Sequence, residues 1–418
     1  MNQARRLLEL GMLGGCAFIL TQALLVMVLA PGDTPGEGNP LWRLILAASY
    51  LGIFGILLAD YRSALFVARR NEFLVTLVLL ALVSCLWANT PTLVLQRSVA
   101  VLGATLFGIA LAVRLSLQEQ LRLLSWVFRI IAVLSLAFIA LAPRYGISDW
   151  PHEGDWRGIF GHKNGLGAYM ALAALVEWYL PTETHADRLF NFLALVLSGV
   201  LLVFSNSMTA MVTLGASLVF IEIYKLARKR LRIPMFAVVS AIVLLLVSGG
   251  TLLFTGTEAV TGAVGRSSNL TGRTDIWRWV LSYAMERPVL GYGFSGFWGG
   301  ASPESLALDR RLGVHIMYAH NGYLDTLLTL GSVGLVLALV FLGIGIRRAF
   351  YRSEQHESSL DFWPLAFLFF FVVHNLAECT ILFQDLEWAM CVATVVSTDG
   401  ELLAAQEDFL LVPSEEFS

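Results

Sequence analysis

Charged residues are scarce in this chain. Asp, Glu, Lys and Arg make up 14% of its 418 residues, whereas hydrophobic residues make up 57%. Soluble proteins carry roughly 25% charged residues, so this composition and a mean hydropathy of +0.71 indicate an integral membrane protein. Only four cysteines are present and none forms a CxxC pair, so we expect neither a disulfide framework nor a cysteine metal site.

Several motifs are also absent. The chain has no Asp-rich DxD or DDxxD motif, which disfavours phosphoryl transfer in which a metal neutralises the charge. It has no GxGxxG, Walker or G-x-S-x-G motif that would point to a nucleotide site or a serine hydrolase. We therefore expect no metal, cofactor or nucleic-acid partner, and arginines could neutralise an anionic substrate instead.

Long apolar runs fill most of the sequence. About 20 apolar residues cross a bilayer as a helix, so we predict an all-α polytopic membrane protein, with residues 1–418 as a single integral membrane domain. The twelve predicted spans are 8–30, 41–59, 73–88, 98–113, 124–142, 165–180, 190–204, 209–224, 234–254, 322–346, 362–378 and 386–397.

Basic residues cluster in alternate connections and predict the orientation. Lys and Arg accumulate in cytoplasmic loops, and here they concentrate in residues 5–6, 62–70, 114–122, 225–232 and 347–352. Both termini, including the acidic tail 401–418, are then cytoplasmic. The connections 143–164 and 255–321 emerge on the periplasmic side, as does the end of the span at 378.

The segment 255–321 is the only long connection predicted. Thr274 and Asp275 resemble a helix N-cap, apolar residues then recur at helical spacing from Ile276 to Ala284, and Arg287-Pro288 ends the pattern. We expect an amphipathic helix whose apolar face lies on the membrane surface. Gly291-Tyr292-Gly293 follows as a loop that can approach a ligand closely.

Polar side chains on the predicted outer face are the candidate site residues. His162, Lys163 and Asn164 stand at a helix N-terminus, which favours anions, although Lys163 could equally be a snorkelling cation. Arg157 lies further from the span, where snorkelling explains less. Arg273, with Arg266 nearby, stands before the amphipathic helix and suits a phosphate, although a loop arginine is usually only solvated.

His320 and Glu378 complete this set. A lone histidine is more often structural than catalytic, but His320 adjoins a span beside Asn321 and suits a general base of near-neutral pKa. Glu378 is costly if it faces lipid, so we expect it to orient His320 or to pair with an arginine. Ser205-Asn206-Ser207 is more simply interpreted as a turn.

Taken in order, four groups of residues resemble the O-antigen ligase/polymerase superfamily (Wzy/WaaL-like proteins) over residues 124–397. They are Arg157-Gly158-Ile159-Phe160-Gly161-His162-Lys163-Asn164-Gly165-Leu166-Gly167, Gly272-Arg273-Thr274-Asp275-Ile276-Trp277, Arg287-Pro288 with Gly291-Tyr292-Gly293, and His320-Asn321-Gly322-Tyr323 with Gly331. The first group looks most like ExoQ-type exopolysaccharide polymerases.

The resemblance implies a GT-C-like fold and a metal-independent, inverting glycosyltransferase. Members of the superfamily use undecaprenyl-diphosphate-linked glycans at the outer face of the bacterial inner membrane. Their diphosphate-binding arginines correspond to Arg157 and Arg273, and their proposed base corresponds to His320. The acceptor would be a glycan in a polymerase or lipid A–core in a ligase, and membrane lipids and a chain-length regulator are further expected partners.

The remaining roles follow as a hypothesis. Glu378 and Asn321 would orient the base, and Lys163 would assist at the phosphates. Substrate contacts are also predicted for His162, Asn164 and Arg266, and sugar-stacking faces for Trp277, Tyr292, Phe294 and Trp298.

Three other functions remain open at this point. A ligase differs from a polymerase only in its acceptor, which the sequence barely discriminates. A lipid-linked glycan flippase would predict inverted repeats and charges at the bilayer midplane, and neither is apparent. A non-catalytic scaffold would not need a cationic cluster on one face.

Overall fold

The computed structural model describes residues 3–24, 40–149, 152–231, 269–355 and 358–399. Within these ranges the chain is helical apart from turns, loops and one antiparallel bridge between Ile147 and Trp156. The helices are α1 Gln3–Leu20, α2 Pro40–Ala59, α3 Tyr61–Arg70, α4 Glu72–Val83, α5 Pro91–Arg114, α6 Leu117–Leu141, α7 Pro143–Gly146, α8 Lys163–Tyr179, α9 His185–Phe204, α10 Met208–Leu226, α11 Asn269–Glu286, α12 Pro303–Leu312, α13 Gly322–Gln355, α14 Ser359–His374 and α15 Leu386–Ser397.

The described helices are those of a multi-pass membrane protein. Six are long and apolar enough to cross a membrane, and shorter apolar helices cover Glu72–Leu86, Ser359–His374 and Leu386–Ser397. Each predicted span that falls in the described ranges overlaps a helix, but the spans 8–30 and 362–378 run past the helix ends at Leu20 and His374. The segment 234–254, the end of 8–30 and the tail 401–418 lie outside them, so the count of twelve crossings stays a prediction.

Burial separates central from peripheral helices. The apolar stretches of α2 and α9 are only 17% buried, so most of their apolar surface is left for lipid. In contrast, every residue of α15 is buried, and this helix packs against α5. The indole Nε1 of Trp388 donates to Thr105 Oγ1 at 2.9 Å across that contact, so a polar group inside the bundle is satisfied.

Charged side chains gather at one end of the bundle, which we call the basic end. Arg114 donates to Glu9 at 2.6 Å there, and Arg348 lies 2.8 Å from Asp399. Arg6 with Glu119 and Arg352 with Asp361 form further pairs at this end. The basic loops of the sequence are therefore brought together in space.

The opposite end, which we call the site end, holds the candidate site residues. It comprises the start of α8, the connection between α9 and α10, the start of α13 and the turn after α14. Contacts join these parts, because Lys163 Nζ donates to Asn206 O at 3.4 Å and Asn164 Nδ2 donates to Glu378 Oε1 at 3.3 Å.

Helix α11 differs from its prediction in two ways. It begins at Asn269 rather than at Thr274. The apolar face that includes Trp277, Val280 and Ala284 is buried in a cluster with Phe297 and Leu308, so the prediction that it lies on the membrane surface is wrong. The following loop and α12 supply enough apolar area to cover this face within the protein.

Gly331 kinks α13. Its backbone has φ 67° and ψ −169°, a combination that is essentially restricted to glycine. Ser332 N donates to Pro288 O at 2.8 Å, and a Cβ at position 331 would overlap the carbonyl of Val289. The kink therefore fixes the chain after α11 against α13.

Candidate functional site

Glu378 is the centre of the site. Its Oε1 accepts from Arg273 Nη2 at 3.1 Å and from Asn164 Nδ2 at 3.3 Å, and its Oε2 lies 3.9 Å from His320 Nδ1. One carboxylate thus joins α8, α11 and the loop before α13. The structure brings together Asn164, Arg273, His320 and Glu378 as one cluster.

Two opposing effects act on the pKa of Glu378. Burial raises it, but the His320 imidazole and the Arg273 guanidinium outweigh burial and lower the pKa to about 2. The carboxylate is therefore ionised at physiological pH. A fixed negative charge so close to His320 would stabilise the imidazolium that forms when this histidine takes a proton.

His320 has an unusual backbone and an exposed ring edge. Its φ is +51°, which is uncommon for a residue with a side chain. Its Nδ1 is buried and has no hydrogen-bond partner among the described residues, yet the side chain is 29% exposed. The other ring nitrogen, Nε2, is therefore the one that can meet a substrate. The ring of Tyr318 lies against it, with the centroids 4.5 Å apart.

The loop that carries His320 is fastened on both sides. Trp277 Nε1 donates to Ala319 O at 2.9 Å. On the other side, Asn321 Oδ1 accepts from the backbone N–H groups of Tyr323 at 3.1 Å and Leu324 at 3.0 Å and so caps α13. The general-base candidate is thus held by α11 and by its own helix start.

The turn that carries Glu378 packs directly on this loop. Gly322 N donates to Asn375 O at 2.8 Å and to Glu378 O at 2.9 Å. A Cβ at position 322 would overlap Asn375 Oδ1, and that same oxygen accepts from Thr380 N at 2.9 Å and Ile381 N at 3.0 Å. Only glycine at position 322 permits this approach.

A second polar pair, His374 and Glu387, lies next to the turn that carries Glu378. His374 Nδ1 is 3.0 Å from Glu387 Oε2, and each side chain is only 3% exposed. The backbone carbonyl of His374 accepts from Glu378 N at 2.9 Å, so the pair anchors the turn from which Glu378 projects. Sequence reasoning missed Glu387, and the available signal was a carboxylate inside an apolar run.

His162 caps α8 and contacts a second histidine. Its Nδ1 accepts from Asn164 N at 3.2 Å, and its ring meets that of His152 edge-on with centroids 5.3 Å apart. Desolvation and the neighbouring His152 lower the pKa of His162 to about 4. The imidazole is therefore neutral at physiological pH and accepts a hydrogen bond at the start of α8.

Lys163 forms an internal ion pair. Its Nζ donates to Asp155 Oδ2 at 2.7 Å, and Asn206 Nδ2 donates to the other oxygen of Asp155 at 3.0 Å. Only 6% of the lysine side chain is exposed. The ammonium is thus neutralised within the protein, through a carboxylate that sequence reasoning did not single out.

Arg157 lies outside the Glu378 cluster. Its Nε donates to Tyr145 O at 2.9 Å, its Nη2 donates to Arg144 O at 3.0 Å, and Asp149 is 4.0 Å away. These partners belong to the connection between α6 and α8. A guanidinium has five N–H donors, so the two carbonyls leave others for a ligand. The remaining predicted arginine, Arg266, lies outside the described residues.

The loop aromatics do not offer the open stacking faces that were expected. Trp277, Tyr292, Phe294 and Trp298 are 4%, 1%, 8% and 1% exposed. Tyr292 is held by Glu286, whose carboxylate accepts from its hydroxyl at 3.0 Å, and by the Arg287 guanidinium over its ring at 4.4 Å. These aromatic residues pack against protein groups, so sugar stacking on them is not supported in this structure.

Among the described residues, no group of three or more His, Cys, Asp or Glu side chains is arranged to hold a metal ion. The charged groups of the cluster itself are Arg273 and Glu378, and the partly exposed imidazole of His320 lies 3.9 Å from the carboxylate. This arrangement can bind an anion next to a group that accepts a proton.

Comparison with known proteins gives a family match and a similar bacterial protein. A family model described as O-antigen ligase matches residues 193–339. The exopolysaccharide production protein ExoQ of Rhizobium meliloti (strain 1021) is 23% identical over 344 residues, which cover 77% of this chain and 76% of that protein. Both matches support the resemblance of this chain to the O-antigen ligase/polymerase superfamily. The match to the family model includes Arg273 and His320, whereas Glu378 lies beyond it.

Proposed function

We propose that this chain is a membrane glycosyltransferase that polymerises undecaprenyl-diphosphate-linked oligosaccharide repeat units into exopolysaccharide or O-antigen-type polymer at the periplasmic face of the bacterial inner membrane. The observation that carries the proposal is the cluster of Arg273, Glu378 and His320 at the site end. It pairs a cation suited to a diphosphate with a base suited to a sugar hydroxyl.

The reaction is a displacement at the anomeric carbon of the donor. His320 Nε2 takes the proton of an acceptor hydroxyl as its oxygen attacks this carbon. The bond from the carbon to the diphosphate oxygen breaks with inversion, and the electron pair leaves with undecaprenyl diphosphate. Arg273 and Arg157 bind the leaving group, and the Glu378 carboxylate stabilises the imidazolium.

Binding of the donor would change the partners of Glu378. At rest Arg273 is neutralised by this carboxylate at 3.1 Å, while His320 Nδ1 is 3.9 Å from it. A diphosphate that takes over Arg273 frees Glu378 to accept a hydrogen bond from His320 Nδ1–H. When the donor is bound, His320 is therefore held in the tautomer that leaves Nε2 free to accept a proton.

The second candidate is a ligase that transfers the glycan to lipid A–core, and the description of the matching family model favours it. The polymerase is preferred because of the similarity to the exopolysaccharide production protein. Both reactions share the same donor and the same site, so they differ only in the acceptor.

The test compares glycans from strains whose own copy is replaced by the wild-type chain, Arg157→Ala, Arg273→Ala or His320→Ala, with membrane protein levels matched. For a polymerase, lipid-linked single repeat units accumulate and polymer disappears in the variants. For a ligase, polymer remains on its lipid carrier and is absent from lipid A–core.

Arg278→Ala is the matched control for Arg273→Ala, because Arg278 lies on α11 with Arg273 but 77% of its side chain is exposed. It should leave the glycans unchanged. Unchanged glycans in all three site variants would contradict the proposed function itself.

A further inference from the structure

Two ionisable side chains inside the bundle have no part in the proposed reaction so far. His374 ends α14 and Glu387 is the charged residue of α15; the His374 Nδ1 and the Glu387 Oε2 are 3.0 Å apart, and each side chain is 3% exposed. We propose that His374, held by Glu387, is a positioning residue that keeps Glu378 ionised while Arg273 is bound to the donor diphosphate. This inference rests on the proposed function, because it starts from the exchange of partners at Arg273.

Glu378 needs a cation that the donor does not remove. Its side chain is 15% exposed, and at rest Arg273 contacts it at 3.1 Å. Burial raises the pKa of this carboxyl, and it is lowered most by His320, followed by Arg273 and then His374. When a diphosphate takes over Arg273, and His320 is neutral so that it can accept a proton, His374 is the one of these three that can still carry a positive charge for Glu378.

Three further titratable neighbours of Glu378 are neutral at physiological pH. The pKa of His162 is lowered to about 4 by desolvation and by His152. Burial raises the pKa of the Tyr318 hydroxyl and of the Cys379 thiol. These three side chains therefore provide no cation that could replace Arg273.

Carboxylates surround His374. Glu387 contacts its ring from α15, and the carboxylates of Glu378 and of Asp385, the N-cap of α15, also interact with it electrostatically. Its ring neighbour on its own helix is Phe370, with the centroids 5.3 Å apart. A neutral imidazole would leave the buried Glu387 carboxylate without a counter-charge, whereas an imidazolium balances it.

The link between His374 and Glu378 is short and does not depend on the donor. Glu378 N donates to His374 O at 2.9 Å, so one turn of chain fixes the distance between the two residues. An apolar pair could anchor this turn equally well, and burying ionisable groups in apolar helices costs free energy. The pair therefore has an electrostatic use in addition to its packing.

The test is the proton uptake that accompanies binding of farnesyl diphosphate to the purified full-length protein in detergent. It is measured by titration calorimetry in buffers of different ionisation enthalpy, from about pH 5 to about pH 8. In His374→Gln with Glu387→Gln, which joins two neutral amides, uptake of one further proton should begin at a pH at least about one unit higher than in the wild-type chain. Adding Glu378→Gln should abolish this extra proton.

Arg129→Gln with Glu177→Gln is the matched control. It removes another ion pair whose carboxylate is buried, with 2.8 Å between the charged groups and Glu177 1% exposed, about 20 Å along α8 from the site end. This control should reproduce the wild-type curve. His374→Lys keeps a cation beside Glu387 and should also reproduce it, and melting temperatures verify that each variant folds.

Equal proton uptake in the wild-type chain and in the neutral pair would overturn the role of His374, as would a shift of the same size in the control pair. A separate titration of Arg273→Ala tests the donor site. Binding that this substitution leaves unchanged would contradict the proposed function, and the present inference would fall with it.

Discussion

At the scale of single residues, two arginines on α11 have different surroundings. The side chain of Arg273 is 16% exposed and forms an ion pair with Glu378. The side chain of Arg278 is 77% exposed, and its ion pair within the described residues is with Asp275. Burial next to a partly exposed base makes Arg273 the better placed of the two to bind a diphosphate. The same substitution at both positions therefore separates a site effect from a general one.

Arg273→Lys should lower polymer output or transfer rate by roughly 10- to 100-fold, because lysine keeps the charge but loses the forked hydrogen bonds. Arg278→Lys should leave it unchanged. The measurement is polymer formed per amount of membrane protein. Near wild-type output from Arg273→Lys would contradict its role in binding the diphosphate.

The pH dependence of stability is a second residue-scale prediction. The pKa of His162 is about 4 in the folded chain against an ordinary 6.5, so the unfolded chain takes up the proton first as the pH falls. The contribution of neutral His162 to the stability of the folded chain is therefore complete above pH 6.5, and it is lost as the pH falls towards 4. His162→Asn keeps a capping side chain and should flatten the fall in melting temperature over this range.

The melting temperature in detergent between pH 4 and pH 7 is the measurement for this variant. His185→Asn, an exposed histidine at the start of α9, is its control and should retain the wild-type slope. The neighbouring His152 also has a lowered pKa, so some slope remains in His162→Asn. A slope identical to wild type in His162→Asn would refute the assignment.

At the scale of elements, the kink in α13 decides how the chain after α11 packs. Gly331→Ala should destabilise the protein by at least about 2 kcal/mol, because alanine has neither the required backbone freedom nor room beside Val289. Gly343→Ala is on the same helix with nothing within 4 Å of the added Cβ, so its effect should stay within about 1 kcal/mol.

Thermal unfolding in detergent compares these two alanine variants. Equal melting temperatures would show that the kink is not required. Loss of polymer output in Gly331→Ala alone is also expected, since the kink and Trp277 together hold the segments on either side of His320.

The helices were more predictable than the contacts between their ends. A long apolar run specifies a membrane helix by composition alone, so the positions of α2, α5 and α9 followed directly. The apolar face of α11 was correctly identified from its period, but its burial depends on Phe297 and Leu308, which lie further along the chain. A local sequence pattern does not identify a packing partner that lies further along the chain. The prediction that this face lies on the membrane surface was therefore wrong.

The site shows the same limit. Arg273 was identified from its place before a predicted helix, and His320 and Glu378 from their residue types at the ends of apolar runs. The structure brings the three together. Asp155 and Glu387 were missed because their importance arises from their partners. Asp155 neutralises Lys163 and Glu387 binds His374, and neither pairing is encoded in a spacing that sequence reasoning can recognise.

At the scale of the whole molecule, the long apolar helices among the described residues run alternately between the basic end and the site end. Because Lys and Arg accumulate in cytoplasmic loops, we predict that the basic end is cytoplasmic and the site end periplasmic. Single cysteines at Glu153, an exposed residue of the site end, and at Arg62, an exposed residue of the basic end, test this orientation.

A maleimide that reaches the periplasm but does not cross the inner membrane should label Glu153→Cys in whole cells and leave Arg62→Cys unlabelled. Both should react after the membrane is opened. The parent chain, whose four cysteines are free, gives the background. The reverse pattern would place the candidate site in the cytoplasm and exclude the proposed reaction there.

The close approach of Gly322 to Asn375 has an evolutionary consequence. The side chain of Asn375 fills the space that a Cβ at position 322 would need, and it also bonds the backbone beyond Glu378. A substitution at only one of these two positions would displace the loop of His320 or the turn of Glu378. Relatives that keep this site should inherit the two residues as a pair, and a homologue that has lost the glycine should also have replaced the asparagine.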